Sequence, residues 1–359
     1  MGVTENELKA AYERATELAS KAPARVDRRM DERVLTFIDV PSVDLPQGVG
    51  GLDAVVLGVP YEGIAVKDPR TFHPRGSSPP PGSDLYSRRG TYEAPRAVRH
   101  ASVFYSLDHS NGYMPEYGLR LGERLRVADA GDLPLRDCRA EEAFEITSEA
   151  VGQIVRAGAV PLVIGGDHVV PLFVLAGIFA ATGKRIGVIT YDSHFDLARE
   201  PRFWEGSQWA HLMELGALAP KNFVPIGIRG LRNAVLWDHV TQELGIPYFT
   251  MADADRLGLE EVNRRALEHA RDGTDLLYVS LDVDAFEPVF CPAQTHPESG
   301  GFTAREMLRS LGQVASEGIC GFDICCLGPA HDVQFMGCEL AARCLVEVLA
   351  AMAASRSSA

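Results

Sequence analysis

The run "RIGVITYDSHFD", Arg185 to Asp196, decides how the chain is read. Its first half is apolar and β-branched without clean alternation, the pattern of a strand buried on both faces. Its second half crowds Asp192, His194 and Asp196 at the strand's end. Similar apolar runs recur at 54–61, 126–132, 160–168, 223–230, 276–286 and 320–329. Helical stretches fall between them, among them 141–157 and 303–316, with a last one at 339–353. Strand and helix in alternation predict an α/β fold of three layers, α/β/α, with a mainly parallel central sheet.

Ligands of such sheets bind beyond the carboxyl ends of the strands. The run ending at 168 delivers Asp167 and His168, that ending near 191 delivers Asp192, His194 and Asp196, and that ending near 281 delivers Asp282 and Asp284. Taken alone, Asp167 reads as a cap or a loop charge. Together, five carboxylates and two histidines on one edge would repel one another unless cations sat among them. The D-x-H-x-D and D-x-D spacings throw alternate side chains to one side of an extended strand end, as convergence on a metal requires. Carboxylates with imidazoles, without thiolate pairs, suit two divalent ions of the manganese, nickel or cobalt type.

The totals agree. The chain has 359 residues, 46% of them hydrophobic, enough for a large core, and a net charge of −14 that argues against nucleic acid or an anionic membrane as partner. The seven cysteines, Cys138, Cys291, Cys320, Cys325, Cys326, Cys338 and Cys344, form no CxxC pair, which predicts reduced thiols in a cytoplasmic protein. No secretory h-region and no membrane-spanning run is legible. Residues 4–22 predict an amphipathic helix opened by a Thr4/Glu7 capping box, within an N-terminal extension (1–50) ahead of a catalytic domain (51–359). The Pro- and Gly-rich stretch 68–90 predicts a long loop.

"GGDH" (165–168), "DSHFD" (192–196) and "SLDVDAFEP" (280–288) resemble, in order, the three signatures of the ureohydrolase superfamily, the arginases and agmatinases. Ser193 replaces the usual alanine of the second, and Glu287 the last aspartate of the third. "ADAGD", "PIGIRG" (225–230) and "THPESGGFT" (295–303) are more similar to the agmatinase branch. The resemblance implies an arginase-like fold and two divalent metals, Mn²⁺ or Ni²⁺. One would be held by His168, Asp192, Asp196 and Asp282, the other by Asp192, His194, Asp282 and Asp284, so that Asp192 and Asp282 bridge. It implies that a hydroxide shared by the metals, hydrogen-bonded to Asp196, attacks a guanidinium carbon, giving an amine and a urea-type product. His211 would shuttle the proton, and His296 would line the substrate pocket. A homo-oligomer, trimer or hexamer, is implied; a hetero-oligomer with a related subunit is the alternative.

One motif departs. Where guanidinium-binding members carry G-x-D-x-x-E-x-x-P, this chain reads "GFDICCLGP", Gly321 to Pro329, with Cys326 in place of the glutamate. A carboxylate contacts a guanidinium through charge-assisted hydrogen bonds; a thiol is a weak donor with a soft surface. Three readings follow: a small or alkylated guanidino compound (guanidine- or metformin-like), agmatine or a guanidino acid, or a partner subunit of a hetero-oligomer. A one-zinc deacetylase ranks below these, because the bridging pair with His194 favours two metals.

Overall fold

The computed structural model describes residue 9 and residues 35–63, 90–107, 111–136, 138–199, 201–233 and 235–356. The expected helix at 4–22 and nearly all of the loop 68–90 lie outside the described residues. Eight strands form one sheet, with the order β4 (Val127–Asp132), β1 (Ala54–Gly58), β5 (Val160–Ile164), β10 (Gly321–Cys325), β9 (Leu276–Asp282), β6 (Ile186–Tyr191), β7 (Leu218–Ile228) and β8 (Phe249–Thr250). Every pairing within it is parallel. β2 (Tyr113–Met114) and β3 (Leu119–Arg120) make a small antiparallel pair apart from it. The seven expected runs all become strands. β8 is an addition: it has two residues, too few for a periodic pattern to show.

The strands read as unbroken apolar runs because both faces are covered. All five residues of β1 and all six of β6 are buried. On one side the helix Val170–Thr182 packs against the helices Ala140–Arg156 and Gln208–Glu214. Its first nine residues are all buried, and Gly183 ends it in the left-handed conformation, as expected at a helix C-terminus. On the other side the last helix, Met336–Ser355, packs against Ala94–Ser102 and Ala304–Ala315, and Leu259–Ala270 completes the layer. Thr303 and Glu306 cap Ala304–Ala315 reciprocally, satisfying two orphan N–H groups.

Register sets the site. Ile164 of β5 stands beside Ile324 of β10, Cys325 of β10 beside Asp282 of β9, and Leu281 of β9 beside Tyr191 of β6. Four central strands therefore end at one level, and the residues just past them share one edge. Close approach there needs glycine: a Cβ on Gly166 would lie 1.7 Å from the Tyr61 carbonyl oxygen.

At the sheet's far edge, Arg99 lies buried against β4. It makes a bidentate contact with Asp129, at 2.7 and 2.8 Å, and a further one with Asp132. Asp129 also accepts from the backbone N–H of Phe37 at 2.7 Å, tying residues ahead of β1 to the sheet. Breaking a buried pair leaves an uncompensated charge. Arg99→Met is therefore expected to cost about 3–5 kcal/mol of stability, read as a lower denaturation midpoint in urea.

Candidate metal centre

Six of the seven strand-end residues converge. His168 Nδ1 lies 2.8 Å from Asp196 Oδ2, 3.1 Å from Asp192 Oδ2 and 3.3 Å from Asp282 Oδ2. His194 Nδ1 lies 3.0 Å from Asp284 Oδ2 and 3.6 Å from Asp192 Oδ1. The two oxygens of Asp192 thus face two different imidazoles, the geometry of a bridging carboxylate. The seventh, Asp167, is used differently. Its oxygens accept from the N–H of Gly63 at 2.6 Å and of Val169 at 3.1 Å, so it fastens backbone and joins no donor cluster.

Three of the four inward carboxylates are aimed by the backbone. Asp192 Oδ1 accepts from His194 N–H, Asp282 Oδ1 from Asp284 N–H, and Asp284 Oδ1 from Ser193 N–H. That leaves Asp192 Oδ2 fully buried with no hydrogen-bond donor among the described residues, a costly state for an oxygen unless a cation lies on it. Burial and the charges of Asp196 and Asp284 push the Asp192 carboxyl up to about 7. Burial opposes charge on His194 too, but the Asp284 charge beside it wins and lifts that imidazole to about 10. A metal must displace such protons, so its hold weakens as pH falls.

The imidazole of His168 has its tautomer assigned by a buried chain. Asp323 accepts from the hydroxyls of Tyr278 at 2.5 Å and Ser280 at 2.9 Å. With its proton given to Asp323, Ser280 Oγ is left to accept from His168 Nε2, 3.3 Å away. Burial opposes charge on this ring, but the carboxylates facing Nδ1, Asp282 foremost, raise it well above the usual range, so Nδ1 holds a proton that a metal would displace. Metal-binding histidines are commonly oriented by such a partner on the other ring nitrogen. The donor atoms within 4.8 Å of one another fall into three sets: His168, Asp192 and Asp196; Asp192, His194 and Asp284; and His168, Asp282 and Cys326. Carboxylate oxygens with one imidazole per set fit two divalent ions.

His211 sits one turn along the helix Gln208–Glu214, with its ring 4.9 Å from that of Phe203 and Nε2 3.3 Å from the Arg202 carbonyl oxygen. None of its contacts among the described residues is with the cluster, so its part as the shuttle stays a proposal. Gln208, at the start of that helix, is the residue that reaches in, donating to Asp196 Oδ2 at 2.8 Å. His296 does lie at the site, its ring 6.3 Å from that of His194. Burial and the neighbouring His194 push it down to about 4, so it is neutral. Cys326 is buried and left-handed (φ 64°), and its thiol contacts Asp282.

The sequence pattern did not point to Gln208, Ser280 or Arg229. Ser280 lay inside a quoted motif and could have been found by its place one turn of pleat before Asp282. Arg229 donates to the carbonyls of Asp284 at 2.6 Å and Ser299 at 3.2 Å, joining the metal loop to the loop carrying His296. Glu287 accepts from the N–H groups of Gly300 and Gly301; its extra methylene over aspartate serves that loop.

A three-layer α/β/α domain with a paired carboxylate–imidazole centre beyond its central strands is that of a binuclear metallohydrolase. This chain belongs to the arginase family, whose model matches residues 53–351. It is a hydrolase of C–N bonds in linear amidines, as members of that family are. It is 33% identical to an arginase of Bacillus caldovelox over 61% of this chain and 79% of that one. It is 28% identical to a guanidinopropionase of Pseudomonas aeruginosa over 89% of this chain and 92% of that one. Among solved structures, the proclavaminate amidino hydrolase from Streptomyces clavuligerus superposes with a TM-score of 0.73 at 25% identity, covering 90% of this chain and 98% of that one.

Asp192→Ala or Asp282→Ala is expected to abolish metal retention and turnover together, checked by metal analysis after desalting beside an activity assay. A metal-loaded, active Asp282→Ala protein would sink the two-metal assignment. Ser280→Ala is expected to lower metal affinity about 10–100-fold while the fold persists, read by chelator competition and circular dichroism.

Proposed function

We propose that this chain hydrolyses a small guanidino or biguanide compound, guanidine- or metformin-like, to a urea-type species plus ammonia or an amine. The observation that carries this reading is Cys326. It occupies the end of β10, between β5 and β9, where guanidinium-binding relatives would place a glutamate, and its thiol is spent on Asp282. A pocket wall without that carboxylate has less to offer a long cationic tail and more to offer a compact or N-alkylated group.

The two ions, Mn²⁺ or Ni²⁺, would supply Lewis acidity, lowering the pKa of a bound water and polarising the substrate. His168, Asp192, Asp196 and Asp282 would hold one, and Asp192, His194, Asp282 and Asp284 the other. Asp196 is the carboxylate placed to take the water's proton, since Gln208 fixes its orientation from the cleft side. His296 and Cys326 line the substrate side. Seven free cysteines suit a reducing cytoplasm, and no helix among the described residues is long and apolar enough to cross a membrane. A trimer-based homo-oligomer is proposed by family likeness, and a mixed one with a related subunit stays open.

A second reading, a guanidino-acid hydrolase, draws support from the likeness to guanidinopropionase over most of both chains. A product assay separates the two. Protein loaded with Mn²⁺ or Ni²⁺ is offered guanidine, metformin, agmatine and 4-guanidinobutyrate, and released amine, ammonia and urea species are followed. Turnover confined to guanidine or metformin is the expected result; turnover of only the acid or agmatine would overturn it. Cys326→Glu is expected to move the preference ratio toward agmatine by about tenfold or more, in line with one charge-assisted contact.

A further inference from the structure

Three carboxylates lie near one another beside the metal centre: Glu62, Asp167 and Glu205. Two of them are committed to backbone. Glu62 Oε1 accepts from the N–H groups of Gly90 at 2.9 Å and Thr91 at 3.4 Å, and Asp167 from those of Gly63 and Val169. Glu205 differs. Its close polar neighbour among the described residues is His296 Nε2 at 3.8 Å, beyond hydrogen-bond length. The side chain of Glu205 is 20% exposed, and burial, with the charges of Asp196 and Glu62, pushes its carboxyl up to about 7.

A carboxylate in a mostly buried position, with no hydrogen-bond donor on it among the described residues, is costly to leave unpaired. A monocation seated on Glu205 removes that cost and lets the carboxylate ionise.

We infer that Glu205 is the specificity-determining carboxylate of this site, taking the substrate's cationic amidinium-type group from the loop after β6 in place of the glutamate absent from the end of β10. The inference rests on the amidine-hydrolase reading but names a different residue, on a different loop, as the cation's contact. His296 positions it from the opposite loop, and Gly206, at φ 93° beside the Trp204 ring, turns the backbone so that Glu205 faces inward.

The test is binding by titration calorimetry on the full-length, metal-loaded protein, with guanidinium chloride as the cationic probe and urea as its neutral isostere. Glu205→Gln is expected to weaken guanidinium binding at least about tenfold, with urea binding and metal content unchanged. Glu205→Gln/Cys326→Glu is expected to recover part of the loss, because the charge is returned from the end of β10. Unchanged guanidinium binding in Glu205→Gln overturns the inference, as does an equal loss for urea, which marks a merely structural role. Tight, Glu205-dependent guanidinium binding without turnover of any guanidino compound supports this inference while defeating the proposed function, so the two fail separately.

Discussion

Everything at the functional edge follows from one electrostatic constraint. Four aspartates are packed into overlapping buried sets, within each of which the donor atoms lie within 4.8 Å of one another. At an effective dielectric of about 20, each close pair of like charges repels by roughly 3–4 kcal/mol, which exceeds what single hydrogen bonds return. The fold can hold them only with positive charge among them. The orphaned Asp192 Oδ2 and the raised imidazole of His194 are two faces of that demand.

The protein meets the demand by dividing the work of Asp192, Asp282 and Asp284. In each, one oxygen is gripped by a backbone N–H and the other is presented inward, while Asp196 is held by the Gln208 side chain. Ser193 N–H holding Asp284 Oδ1 is the most telling case, since it stitches the loop after β6 to the loop after β9. Arg229 repeats the stitch with carbonyls of both the 284–286 and 298–299 segments. The two non-glycine residues held left-handed at this edge, Asp196 and Cys326, show the same priority. Backbone strain concentrates where a side chain must be aimed.

The departures from the family pattern lie beside the paired centre and leave its six donors in place. Cys326 contacts Asp282, and Glu287 accepts from the backbone of Gly300 and Gly301. Metal ligands answer to a geometry that tolerates little change, whereas a pocket wall answers only to the shape and charge of what enters. That is why family membership speaks clearly for the reaction and faintly for the substrate.

The sequence by itself determined the strand-and-helix alternation, the parallel sheet and six inward donors, because those features are local: a double-faced apolar run, and ligands spaced two residues apart beyond a strand. It also marked the Cys326 departure, since a motif exposes a missing member. Only the tertiary structure decided which strands are neighbours, and so that β10 enters between β5 and β9 and sets Cys326 against Asp282. It turned Asp167 to the backbone and His211 onto Phe203, and raised Glu205 and Gln208 to the cleft. No periodicity encodes those outcomes. They depend on where loops from separate strands meet, and on which polar groups find a partner there before any ligand arrives.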